Sequence, residues 1–145
     1  MSEEPTHSLP QDPGAIGHVS HPHCVVCGRD NEQGLGMTFT TRSDGCVESE
    51  ICCGSDFEGY PNQLHGGVVA MLLDGAMTNC LFAHGREAVT AELTVRYRHP
   101  VAPDRTARVR AWIERSRPPF TAIAASLVQD GHIRVTARAK FLDRG

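Results

Sequence analysis

The sequence predicts an α+β fold, in which antiparallel strands curling around one long central helix would give that helix the cover it needs. Three observations predict it. The stretch from Val68 to Ala83 is apolar almost throughout and holds a single charged side chain, Asp74. A helix without a polar face has nothing to show water, so it must be enclosed rather than laid on a surface. After it come four segments with strand character, most of them alternating apolar and polar residues with the two-residue period of a half-buried strand. Two more strand-like segments precede it, and antiparallel strands curling round the helix supply the cover it needs.

The elements follow in order. Residues 1–23 are expected to form a flexible N-terminal tail, because the first 17 contain three Pro, two Gly and no Lys or Arg. One domain is expected over residues 24–145. Leu35 to Thr41 and Cys46 to Cys53 read as strands joined by the turn Ser43-Asp44-Gly45. A loop through Phe57, Gly59, Tyr60 and Pro61 leads to the helix, which Gly85 ends near His84. In the next strand Val89, Ala91, Leu93, Val95 and Tyr97 form the apolar side, opposite Thr90, Glu92, Thr94, Arg96 and Arg98. Ala107, Val109, Ala111 and Ile113 line another. Phe120 to Val128 is apolar on both faces, so both are covered. Ile133, Val135, Ala137, Ala139 and Phe141 line the last, with turns at Pro118-Pro119 and Asp130-Gly131.

Composition narrows the class. A chain of 145 residues suits one domain. A net charge of −3 argues against a generic nucleic-acid binder. No apolar run reaches the ~20 residues that span a bilayer, so no membrane partner is expected. The opening residues Glu3, Glu4 and Pro5 do not form a basic-then-apolar leader, and a cytoplasmic location is expected. The six cysteines read as reduced thiols, since Cys52 and Cys53 are adjacent and Cys80 falls in the apolar helix. Charge is uneven along the chain. Residues 1–75 carry two Arg and eleven acids, whereas residues 76–145 carry twelve basic residues and six acids. A cationic later half suits a phosphate-bearing ligand, although solvated strand faces give the same count.

The most informative segment runs from Tyr60 to Asp74: Tyr60-Pro61-Asn62-Gln63-Leu64-His65-Gly66-Gly67, then the apolar helix with its acid nine positions after the histidine. Glycines at a helix start leave backbone N–H groups open to a ligand. A carboxylate inside an apolar helix is costly unless paired, solvated or used. Donors for an oxyanion and a carboxylate for attack are the two parts that acyl transfer or hydrolysis requires.

These residues carry a resemblance. The ordered set of His65-Gly66-Gly67, Asp74 and the strand Val89-Thr90-Ala91-Glu92-Leu93-Thr94-Val95-Arg96-Tyr97-Arg98-His99-Pro100 resembles the hotdog-fold acyl-CoA thioesterases of the PaaI type. Cys24-Val25-Val26-Cys27-Gly28, followed by Gly34-Leu35-Gly36-Met37-Thr38-Phe39, resembles a leading segment of the same superfamily, so the match covers roughly residues 24–142. The resemblance implies a hotdog fold and hydrolysis of an acyl-CoA to free acid and coenzyme A, without a cofactor. It implies that Asp74 is the nucleophile or general base and that the Gly66 N–H is the oxyanion donor. It also implies that His65 orients the loop or substrate. Thr90 falls where relatives place a Ser or Thr that positions water; an ordinary strand threonine is the other reading. Relatives often carry an amide six residues before the histidine, where this chain has Gly59; Asn62 and Gln63 are the nearest amides, and with Gly67 they are assigned to substrate binding. Nine residues at ~100° each place His65 and Asp74 on opposite sides of the helix, ~13 Å apart along it. The family resolves this by sharing each site across a dimer, so a homo-oligomer (dimer or tetramer) with interface sites is expected.

Three alternatives stay open. One is a non-catalytic acyl-CoA binding or sensing module. Another is a hotdog hydratase or dehydratase, although the His-Phe-Pro loop of those enzymes is missing. The third is a zinc-dependent interaction protein built on Cys24, Cys27 and the histidines before them. A second Cys-x-x-Cys is absent, so no metal is expected, and the two cysteines are expected to pack before the first strand.

Overall fold

The computed structural model describes residues 12–144. In chain order the elements are α1 (Pro13–Ser20), β1 (Thr40–Thr41), β2 (Val47–Ile51), a 3-10 turn (Ser55–Phe57), α2 (Gly66–Ala83), β3 (Ala88–Tyr97), β4 (Ala107–Arg117), β5 (Phe120–Gln129) and β6 (His132–Asp143). The six strands make one sheet in the order β1-β2-β4-β5-β6-β3, with every neighbouring pair antiparallel. α2 packs against this sheet, and the expected hotdog arrangement is the observed one.

Burial explains the arrangement. From Leu72 onward every residue of α2 except Asp74 is buried. Leu72, Leu73, Met77 and Leu81 meet Val47, Val109, Ile123, Leu127, Val135 and Phe141 in one core. Two buried polar side chains on α2 satisfy themselves within the helix: Asn79 donates to the Gly75 carbonyl at 2.9 Å and Thr78 to the Asp74 carbonyl at 3.0 Å. By length and composition α2 resembles a membrane span, but 67% of it is buried inside the fold.

Two expectations change. The segment assigned to a flexible tail contains α1. Asp12 caps it by accepting from the Gly14 N–H at 3.0 Å, and Pro13 sits at the first helical position, where its fixed φ and missing N–H cost nothing. Pro and Gly content made this stretch look unstructured, whereas Asp-Pro at a helix start is a cap. Residues 1–11 of the expected tail lie outside the described residues. The strand expected over Leu35 to Thr41 is reduced to Thr40–Thr41. The Leu35 and Met37 N–H groups bond the Val25 and Val26 carbonyls, both at 2.8 Å, so they are unavailable to the sheet.

The segment around Val26 lies hard against α2. A Cβ on Gly75 would come within 2.5 Å of Val26 Cγ1. Ala would gain about 1 kcal/mol of helix propensity there. Overpacking a buried, β-branched neighbour costs about 1–3 kcal/mol, and it wins at this distance. Gly75→Ala should therefore lower the thermal midpoint by several degrees, and adding Val26→Ala to that variant should recover part of the loss. A midpoint raised by Gly75→Ala alone would contradict this packing.

Candidate active site

The start of α2 is built by its loop. Tyr60-Pro61-Asn62-Gln63 forms a tight turn closed by Gln63 N–H to Tyr60 C=O at 3.0 Å, with Asn62 at φ 65°. Pro at the second position and a left-handed Asn at the third give a type II turn. Asn62, expected to bind substrate, takes the left-handed position of this turn. The turn presents Gln63 to an open cavity of about 590 Å³, which His65, Gly66, Tyr97, Arg98 and His99 also line. Leu64 N–H donates to Val101 C=O and His65 N–H to Phe57 C=O, each at 2.8 Å, which anchors both ends of the loop. Gly59 is a packing position. A Cβ there would lie 3.3 Å from His65 Cα, so a side chain at this position would need the loop to give by a few tenths of an ångström.

His65 is the N-cap of α2, and its Nδ1 accepts from the Gly67 N–H at 2.9 Å. That bond commits Gly67, expected to bind substrate, to the helix cap, and it leaves only Nε2 of His65 for a ligand. Gly66 is the first helical residue, so its N–H has no intrahelical acceptor, and among the described residues no other group accepts from it. This donor is exposed at the positive end of the helix and faces the cavity. Tyr97 braces it from β3, donating its hydroxyl to the Gly66 carbonyl at 2.5 Å. Burial pushes the Tyr97 phenol above its ordinary range, so it stays a neutral donor.

Asp74 lies two turns further along. Its Oδ1 accepts from Thr90 Oγ1 at 2.6 Å. The contact depends on a β-bulge. Thr90 pairs with Phe141 and Glu92 with Lys140, so Ala91 is an extra residue on β3. The strand's alternation reverses there. Leu93 and Val95 point inward as expected, and before the bulge Thr90 turns inward while Val89 is 52% exposed. The uninterrupted alternation expected from the sequence would have put Thr90 on the outer face, away from α2. Bulges commonly re-aim side chains in this way.

The structure therefore forms two halves. His65 and Gly66 meet at the cavity, while Asp74 and Thr90 meet about 12 Å along the helix, and neither of the latter lines that cavity. Many cations of the later strands are paired on the surface, as in Arg108 with Glu50 at 3.1 Å and Arg110 with Asp44 at 2.8 Å. Arg98 and His99, at the cavity, are the basic residues placed beside Gly66; sequence reasoning did not single them out, since nothing in their spacing separates them from other strand cations.

Cys24 and Cys27 pack against the core before β1, as free thiols beside His21. The hydrogen bond from Cys27 holds the Cys24 thiol down to about 4, and the same bond together with burial pushes Cys27 up.

Comparisons with known proteins agree with this geometry. Residues 62–118 match the thioesterase superfamily model. The chain is 30% identical over 93 residues to acyl-coenzyme A thioesterase THEM4 of Bos taurus, a match covering 62% of this chain and 38% of that protein. The chain thus spans well under half the length of that relative. The Escherichia coli PaaI protein from the phenylacetic acid degradation operon superposes with a TM-score of 0.80 at 16% identity, covering 95% of this chain and 97% of that one. A Streptococcus mutans protein bound to acetyl CoA superposes at 0.70 with 14% identity, covering 75% and 89%. A Streptococcus pneumoniae hypothetical thioesterase, at 0.70 and 14%, has been solved with an aspartate and with a threonine sixteen positions further on each replaced by Ala. The chain is a hotdog-fold protein whose central segment carries the thioesterase superfamily pattern. Within that class it resembles the PaaI type, as its sequence motifs indicated.

Tyr97→Phe removes the brace on Gly66 while keeping the ring. It should lower stability by about 0.5–1 kcal/mol, read as a lower denaturant midpoint at constant slope. An unchanged midpoint would mean that the hydroxyl bond contributes nothing to holding the helix start.

Proposed function

We propose that this chain hydrolyses an acyl-CoA thioester to a free carboxylic acid and coenzyme A. The observation that carries this reading is the Thr90–Asp74 hydrogen bond, a carboxylate on an apolar helix held by a donor that a bulge turns toward it. Asp74 and Thr90 are sixteen positions apart, the same separation as the aspartate and threonine replaced in the Streptococcus pneumoniae protein. The thioesterase superfamily match and the THEM4 similarity support the reaction class. A CoA ligand is supported by the structural relative that holds acetyl CoA.

The chemistry follows from the two halves. Thr90 fixes one oxygen of the carboxylate and leaves the other to attack the thioester carbon or to take a proton from an attacking water. The Gly66 N–H, at the helix's positive end, stabilises the oxygen of the tetrahedral intermediate. On the water route, collapse breaks the C–S bond and the proton taken from water returns to the departing thiolate; on the direct route, collapse expels the thiolate and leaves an Asp74–acyl anhydride, which water then hydrolyses to the free acid and the regenerated carboxylate, its proton going to the thiolate. His65 acts by capping the helix and so fixing the direction of the Gly66 N–H. Arg98 offers positive charge, and the His99 ring a further polar contact, to the phosphates of coenzyme A.

The halves lie too far apart to serve one thioester within a single chain, and the missing half is proposed to come from a second copy. β3 is an edge strand, and Val89 and Tyr97 on it are 52% and 51% exposed. Pairing at such an edge would cover its unpaired backbone and bring Asp74 of one copy toward the Gly66 of another. A cytoplasmic location belongs to the same proposal.

Thiol release over short, medium, long and aromatic acyl-CoAs tests the reading. Asp74→Asn keeps shape and loses charge, and it should lower kcat at least ~100-fold, about 2.7 kcal/mol of barrier. Gly66→Pro should lose activity to a similar extent with the helix intact. Proline fits a first helical position, and the extended His65 before it (ψ 134°) tolerates it, so the change removes little but the N–H. CoA binding without turnover of any acyl-CoA, or full activity in Asp74→Asn, would sink the assignment.

A further inference from the structure

The strongest cluster of chemistry outside the candidate active site lies at the N-terminal side. One ligating atom each from His21, Cys24 and Cys27 falls within 4.8 Å of the others. We propose that these three residues bind one zinc ion, with water in the fourth position. This departs from the expectation of a metal-free cysteine pair, since the structure adds a third ligand that the spacing of the cysteines alone did not identify.

Four features make it a built site rather than a chance grouping. Zn–S bonds of about 2.3 Å and Zn–N bonds of about 2.0–2.1 Å in a tetrahedron put ligand atoms roughly 3.5–3.8 Å apart. The cluster therefore needs only ~1 Å of side-chain adjustment to close on an ion. Second, the His21 Nδ1 is buried without a hydrogen-bond partner among the described residues. Such an atom is costly unless something satisfies it, and a metal would. The ring is held in place by its edge-on contact with Phe82, with centroids 5.1 Å apart.

Third, the loop has the form that orients a metal-binding thiolate. The Val26 N–H points at Cys24 Sγ at 3.4 Å, a bond that stabilises charge on sulfur. Gly28 N–H closes the turn on the Cys24 carbonyl at 2.8 Å. Only glycine fits there, because a Cβ would lie 2.4 Å from the Cys24 backbone nitrogen. Fourth, Cys27 lines an open groove of about 410 Å³ together with Asp12, Arg29 and Asn31, which leaves the Cys27 side of the cluster open to water.

The ion would act as a clasp. His21 is the C-cap of α1, and Val26, between the two cysteines, packs into the notch at Gly75 of α2. One ion thus ties the end of α1 and the 24–28 loop to the central helix. Asn79, the α2 residue beside the site, is rotated ~140° round the helix from Asp74. The clasp and the thioester chemistry are therefore separable.

Cobalt(II) titration of the full chain, stripped of metal under reducing conditions, tests this directly. The expected result is saturation at one equivalent per chain, with a thiolate-to-cobalt charge-transfer band, tetrahedral d–d bands, and displacement of cobalt by zinc. Cys24→Ser should remove most of the charge-transfer intensity. His21→Ala, the milder change, should weaken cobalt affinity at least 10-fold while keeping the thiolate band. Chelation of the protein as isolated should lower its thermal midpoint without abolishing acyl-CoA turnover at low temperature. An absence of tetrahedral bands at one equivalent, bands unaltered by Cys24→Ser, or a Cys24–Cys27 disulfide in protein isolated anaerobically would each overturn the proposal.

Discussion

α2 is a helix with almost no polar face, and the rest of the molecule follows from the need to keep it from water. A helix of this kind cannot lie on a surface, so the sheet curls over it and supplies Val109, Ile123, Leu127 and Phe141 as its counterpart. The places where the enclosure gives way are its glycine-led start and Asp74. A carboxylate on such a helix is costly unless a donor meets it. One extra residue in β3 supplies that donor by turning Thr90 inward. The constraint that makes the core thus also singles out the two places where chemistry can occur.

Position in the sheet adds the next consequence. β3 carries the bulge, Thr90 and Tyr97, and it lies at one end of the sheet, with no strand on its outer side among the described residues. Tyr97 braces the Gly66 carbonyl and Thr90 holds Asp74, so one edge strand touches both halves of the site. On the proposed reading, docking a second copy at this edge would complete the oxyanion donor, the acid and the cover over exposed Val89 in one step. The N-terminal segment plays a separate part, reaching α2 through Val26 and Phe82 on another side.

Much of this was legible in the sequence because long, strongly patterned segments leave few options. The uniform apolarity of Val68 to Ala83 required an enclosed helix, and the alternation in Ala107 to Ile113 matched the buried side of β4. What escaped has specific physical causes. Asp12-Pro13 is a helix cap that composition disguises as a loop. Leu35 and Met37 have strand-like side chains, but their N–H groups are taken by the Val25 and Val26 carbonyls. A bulge leaves no mark in a stretch that alternates perfectly by residue type, so the inward turn of Thr90 was hidden even though Thr90 itself was singled out. Gly67 has an accessible N–H, yet the His65 cap uses it. The third member of the cysteine cluster, His21, was one of several nearby histidines until the fold brought it beside Cys24 and Cys27.

The central claim is that the carboxylate and the oxyanion donor of one working site come from different copies of the chain. Mixing inactive Asp74→Asn chains with inactive Gly66→Pro chains under conditions of confirmed subunit exchange tests it most directly. In a mixed dimer both losses fall in one site and the other site is intact. Random mixing of equal amounts makes about half of the dimers mixed, so activity should return to roughly a quarter of the wild-type level per chain. Activity that stays at the level of the two separate variants, with exchange verified, would contradict the account.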